Sequence, residues 1–109
     1  MEELVDITVT AETVDQLADL TRELVVDGVV ACGNIIPNVR SIYAWRGEVE
    51  DDAEALVVLH TRKALVPQVL DHIIREHPYD TPQVLVLPVS DANPAYRAWL
   101  VAETSRQGL

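Results

Sequence analysis

An α+β fold in the order β-α-β-β-α-β, closed by a C-terminal helix, is the architecture this 109-residue sequence predicts. Three observations lead to it. Period-two apolar runs alternate with amphipathic stretches of helical period, and a turn signal at Arg46-Gly47 joins two unusually long β-like segments. A length of 109 residues suits one domain, taken here as 1-109, large enough to bury its own core.

The elements follow in order. LVDITVT (Leu4 to Thr10) alternates Val5, Ile7 and Val9 with Asp6 and Thr8, as a strand with one buried face does. Thr13 and Gln16 have capping-box spacing, and Leu17, Leu20 and Leu24 form a helical stripe that stops at Asp27-Gly28. From Val29 to Trp45 the composition is β-branched and aromatic. Pro37-Asn38 interrupts it, predicting a bulge or kink, because proline cannot donate to a ladder and Asn tolerates φ > 0. Glu48 to Thr61 returns as the partner strand of a hairpin. Val66, Val69, Leu70, Ile73 and His77 mark a second helix, with Pro67 in its first turn and Pro78 closing it. Gln83 to Val89 is a further strand, and Asn93-Pro94 opens a short helix with the stripe Tyr96, Trp99 and Leu100.

This order is the split βαβ, or ferredoxin-like, plan, with both main helices on one face of an antiparallel sheet. The hairpin adds a prediction of its own. A strand of about 14 residues spans about 46 Å, whereas a domain of this size has a radius of gyration of about 13 Å. The hairpin must therefore overhang its domain, and exposed edges and aromatics there call for cover by another copy of the chain. A homo-oligomer is expected.

Composition excludes several function classes. Hydrophobic residues make up 49% and charged residues 24%, a globular balance. The formal net charge of −10 disfavours nucleic acid and anionic lipid as partners. No run approaches the roughly 18 apolar residues of a membrane span, and MEELVD lacks the basic start of a signal peptide, so a cytoplasmic location is expected. A single cysteine makes no intramolecular disulfide. No phosphate loop, nucleophile elbow, HExxH pair or CxxC is present, and no enzymatic activity is expected.

ACGNIIPNVRSIYAWRGEVE, HTRKALVPQV, HPYDTPQVLVLPV and NPAYRAWL, in this order, resemble the CutA family of divalent-cation tolerance proteins, over a stretch from Thr8 to about Leu100. The resemblance implies a ferredoxin-like subunit assembled as a trimer through its long hairpins. It also implies a role in metal tolerance, with copper binding in some members and a trimer similar to the PII signalling proteins, without an established reaction. Five positions depart from the family: Asn38 replaces the usual Gly, Val29-Val30 the usual Leu-Ala, His60 a common Lys, and Glu76 a second histidine found in some members.

Candidate chemistry is sparse. Cys32 is a soft ligand suited to Cu(I) or Zn, yet it shares a strand face with Asn34 and Ile36 and reads equally as a small core residue beside the first helix. His77, at the end of the second helix, either complements the last carbonyls or binds metal. His72 with Glu76 has the i, i+4 spacing of a weak chelate or of an ordinary helical pair. Glu48, Glu50, Asp52 and Glu54 line one strand face if the strand is unbroken, attracting hard cations or simply solvating an edge. Tyr43, Trp45 and Tyr79 are anchors of a subunit seam, or else line with Lys63 a cleft between subunits for a small anionic ligand; Asp80, in the loop after Tyr79, would add to a pocket. No cofactor is expected to be obligatory; copper or another divalent cation is the expected partner ion.

Overall fold

The computed structural model describes residues 2–105. Its elements are β1 (Leu4–Ala11), α1 (Val14–Val26), β2 (Cys32–Trp45), β3 (Glu48–Arg62), a 3₁₀ turn (Lys63–Leu65), α2 (Val66–Glu76), β4 (Val84–Val89) and α3 (Pro94–Glu103). The strands form one antiparallel sheet in the order β2-β3-β1-β4, as the α+β, ferredoxin-like expectation requires.

Local chemistry explains the boundaries. The Thr13 side chain accepts from the Gln16 amide and the Gln16 side chain accepts from the Thr13 amide, both at 3.1 Å, closing the capping box that starts α1. At the other end Gly28 takes φ 73°, and the Val29 amide bonds back to the Leu24 carbonyl at 3.1 Å. That closure corrects one expected boundary. Val29 and Val30 belong to the helix exit, so β2 begins at Cys32 rather than Val29.

One face of the sheet carries the core. Ile7, Val9, Val57 and Leu59 are fully buried against Leu17 and Leu24 of α1 and Val69 and Ile73 of α2. Each such side chain contributes about 1.5–3 kcal/mol relative to exposure. α1 lies so close to β2 that a Cβ on Gly33 would stand 2.6 Å from Thr21 Cγ2. The opposite face is covered only at one end, where Leu100 and Tyr96 of α3 meet Leu4, Ala31 and Val89. Elsewhere on that open face Ile36, Leu85 and Leu87 are 50%, 54% and 45% exposed.

The hairpin behaves as expected. β2 and β3 pair far beyond the last β1 partner, Ala55, and the molecule measures 45 Å along its longest axis with a radius of gyration of 14.6 Å. At the tip, Arg46 and Gly47 both have positive φ, 51° and 82°, as a type I′ turn needs. Between Ile36 and Val39 the register slips, with Asn38 at φ 61°, so β2 holds one residue more than β3 there. β3 itself runs without interruption.

Candidate functional site

A concave cleft of about 900 Å³ opens where the projecting hairpin meets the loop between α2 and β4. β2 contributes Tyr43 and Trp45, β3 contributes Asp52 and Glu54, the end of β1 contributes Thr10 and Glu12, and the loop brings Tyr79 and Asp80. Tyr43 and Trp45 share the open face with Glu48, Glu50, Asp52 and Glu54, because β3 is unbroken and each aromatic stands opposite an acid.

The loop is held by His77. Its Nε2–H donates to the Thr10 carbonyl at 2.8 Å, and its Nδ1 accepts the Tyr79 amide at 3.1 Å, so both nitrogens of a neutral ring are engaged. The His77 and Tyr79 rings pack edge-on, with centroids 4.8 Å apart. At the end of α2, His77 is expected to be either a partner for the carbonyls of its own helix or a metal ligand. Within one chain it ties α2 to β1, because the backbone turns extended at this residue (φ −71°, ψ 139°) and directs the ring toward the sheet.

Two phenol–carboxylate pairs line the cleft. Tyr43 donates to Asp52, and Tyr79 donates to Glu54 at 2.9 Å. The bond to Asp52 pushes the Tyr43 pKa up to about 12, and burial followed by the bond to Glu54 raises that of Tyr79. Arg40 is bidentate to Asp51, at 2.9 and 2.7 Å. Lys63 does not join Tyr43, Trp45 and Tyr79 within one chain. It pairs with Glu3 at 3.1 Å, beside the start of β1, while the cleft lies beyond the strand's other end.

Cys32 lies elsewhere. It pairs across strands with His60, four residues along β3 from the Leu56 that pairs with Thr10, a separation of about 13 Å. One chain therefore does not bring Cys32 and His77 together. Nor does Cys32 pack beside α1: Gly33 takes the α1 side, and the alternation of the strand turns Cys32 toward α3. There the Tyr96 hydroxyl lies 3.7 Å from Sγ, and His60 sits between Asp6 (2.6 Å) and Asn34 (2.7 Å). Burial, and then the contact with Cys32, pushes the Tyr96 pKa up to about 12. A smaller hollow of about 200 Å³ adjoins these groups.

His72 and Glu76 form neither the weak chelate nor the helical pair that their spacing allows. His72 Nε2 reaches Glu23 of α1 at 2.9 Å, since α1 and α2 pack side by side, and Glu76 lies against Arg75. Among the described residues no three His, Cys, Asp or Glu side chains converge closely enough to hold a metal ion. A complete inner coordination sphere therefore does not fit the described donors of one chain. The sequence signals missed the tie between His77 and Thr10 and the bridge between His72 and Glu23; both are long-range contacts that no local spacing encodes.

A small α+β chain with a four-stranded antiparallel sheet and an overhanging hairpin defines the class. Residues 5–103 match the family model for the CutA1 divalent ion tolerance protein, and the chain belongs to that family. It is 38% identical to the divalent-cation tolerance protein CutA of Thermus thermophilus over 104 residues, covering 95% of this chain and 99% of that one. It is also 38% identical to mouse Protein CutA over 82 residues, covering 75% of this chain and 46% of the mouse protein. The chain thus spans about half the length of the mouse relative. The crystal structure of CutA1 from Oryza sativa superposes with a TM-score of 0.92 at 31% identity, covering 97% of each chain. No helix among the described residues is long and apolar enough to cross a membrane.

Proposed function

We propose that the chain works in the cytoplasm as a homotrimer in tolerance of divalent cations such as copper, binding, buffering or sensing the ion without catalysis. The observation that carries this reading is the hairpin overhang joined to an open sheet face on which Ile36, Leu85 and Leu87 stay about half exposed. Such a face needs a like surface to cover it. Because the described residues of one chain converge no ligand set, metal contact is assigned to side chains brought together by assembly, with Cys32 and His77 the leading donors, His77 by exchanging one of its bonds to the Thr10 carbonyl or the Tyr79 amide. Names of relatives support the tolerance role. The test is calorimetric titration of the reduced protein with Cu(I), Cu(II) and Zn, repeated on Cys32→Ser and His77→Ala, with light scattering for the assembly. Binding unchanged in both variants removes the ligand assignment, and a stable monomer removes the assembly.

A second reading has its own observation. The cleft of about 900 Å³ beside Tyr43, Trp45 and Tyr79 is the size of a small-molecule site, as a PII-like signalling scaffold would use. Its test is binding of a small ligand that survives removal of all metal.

A further inference from the structure

The C-terminal helix is held by a different set of contacts from the rest of the fold. α1 and α2 pack on the main core, to which α3 adds no side chain among the described residues. α3 rests on the other face, where its Leu100 is buried with Leu4 and Ala31. Strand alternation keeps the two clusters apart, since in β1 Leu4 faces α3 while Val5, Ile7 and Val9 face the main core. Removing α3 would therefore leave the main core whole. This end of the open face, unlike the part bearing Ile36, Leu85 and Leu87, is covered within the chain itself.

α3 is poorly equipped to stand as a helix alone. It has ten residues, Asn93 supplies no side-chain cap, and there is no acid in the first turn and no base in the last. Isolated helices below about 12 residues are marginal in water. The cap comes instead from another element: Arg62, at the end of β3, donates through Nε to Thr104 Oγ1 at 2.9 Å and through Nη2 to the Thr104 carbonyl at 2.7 Å. A cation thus sits at the negative end of the helix dipole. Nη1 of Arg62 donates to the Glu2 carboxylate at 2.9 Å, and Arg97 of α3 donates to the Glu2 carbonyl at 2.7 Å. The Arg62 side chain is 14% exposed, so these charge-assisted bonds are little screened by water. Residues 90–93, between β4 and α3, have no regular structure and form a hinge.

We propose that α3 is a strap latched by Arg62, which undocks and unfolds as one unit while the sheet and its two main helices stay folded. Undocking lifts the Tyr96 hydroxyl, 3.7 Å from Cys32 Sγ, off the thiol, so the strap governs access to Cys32. It does so whether or not Cys32 binds metal.

The experiment is native-state hydrogen exchange on the full-length protein in its native assembly, read by mass spectrometry in α3 and in strands β1 and β3. Arg62→Ala removes the latch and should speed exchange in α3 about tenfold or more. Arg62→Lys keeps the charge but cannot grip Thr104 and Glu2 together, and should speed it less. Ile73→Val trims the main core, away from the α3 cluster. It should speed exchange in β1 and β3 about two- to tenfold and leave α3 unchanged, because the undocked form still contains that core. Labelling of Cys32 by N-ethylmaleimide should follow the α3 rates across the variants. If Ile73→Val speeds α3 as much as the strands, α3 opens only by global unfolding and the proposal is overturned. Unchanged α3 exchange in both Arg62 variants overturns the latch, and a Cys32 labelling rate equal in all variants overturns its control of the thiol. Exchange in α3 that slows as protein concentration rises also overturns the proposal, since opening then requires a neighbouring subunit to leave. Should Arg62→Ala not fold, Arg62→Lys and Ile73→Val decide between these outcomes. No ion is titrated, so failure of the strap and failure of the metal reading are seen separately.

Discussion

Replacing His77 with alanine should separate its structural work from any metal role. The substitution removes the donor to the buried Thr10 carbonyl and the acceptor of the Tyr79 amide, along with the ring contact to Tyr79. Each orphaned backbone group costs about 1 kcal/mol or more, and the aromatic contact adds about 0.5–1.5 kcal/mol. The expected loss is about 3 kcal/mol, read by urea denaturation at fixed protein concentration, since assembly makes stability concentration-dependent. In a thermal scan it corresponds to a fall of roughly 12–24 °C, at about 4–8 °C per kcal/mol for a domain of this size. His77→Gln, which keeps a donor and an acceptor, should recover part of the loss. Hydrogen exchange should quicken in the loop bearing Tyr79 and Asp80. The reasoning is refuted if His77→Ala is as stable as the parent in the presence of chelator while its metal affinity collapses; the ring would then be a ligand and not a strut.

Other predictions follow from the same contacts. All three tyrosines have raised pKa values, so absorbance titration of the folded protein should show little tyrosinate at pH 10.0 and ionisation near 12 for Tyr43, a step that Asp52→Asn moves down. Folded values above the unfolded 10.0 mean these groups favour folding fully below pH 10.0; that stability is lost as pH rises from 10.0 toward 12, and a flat profile across this window would refute it. Gly33→Ala should destabilise by about 1–3 kcal/mol in chemical denaturation, because the new methyl meets Thr21 and Leu59 at 2.6 and 3.1 Å. Asn38→Gly should be close to neutral, whereas Asn38→Val should cost about 1–2 kcal/mol at φ 61°, compared by thermal melting.

The fold was legible wherever a local pattern was strong. The Thr13–Gln16 box, the Pro37-Asn38 break and the Arg46-Gly47 turn each act through neighbouring residues, and each stands where the sequence put it. The site was legible in parts. Tyr43, Trp45 and the acids opposite them follow from strand alternation, but the joining of Tyr79 and Asp80 to them depends on a histidine bonding a residue 67 positions away. Within one chain Lys63 lies apart from them for the opposite reason. It follows a strand that also reaches the cleft, and fifteen residues of β3 separate its two ends. Cys32 was set beside the wrong helix because alternation reveals which residues share a face, not which face α1 will cover.

The slip at Asn38 has a consequence for how this chain can change. Below it the even-numbered residues of β2, such as Cys32 and Asn34, look toward the open face; above it the odd-numbered Tyr43 and Trp45 do. The extra residue is a phase shifter. Deleting it would remove the slip and restore plain alternation, with Val39 still opposite Glu54 and both aromatics still on the cleft side. The bulge position can therefore lose its extra residue at the expense of the local kink alone, while the arm's two surfaces keep their side chains.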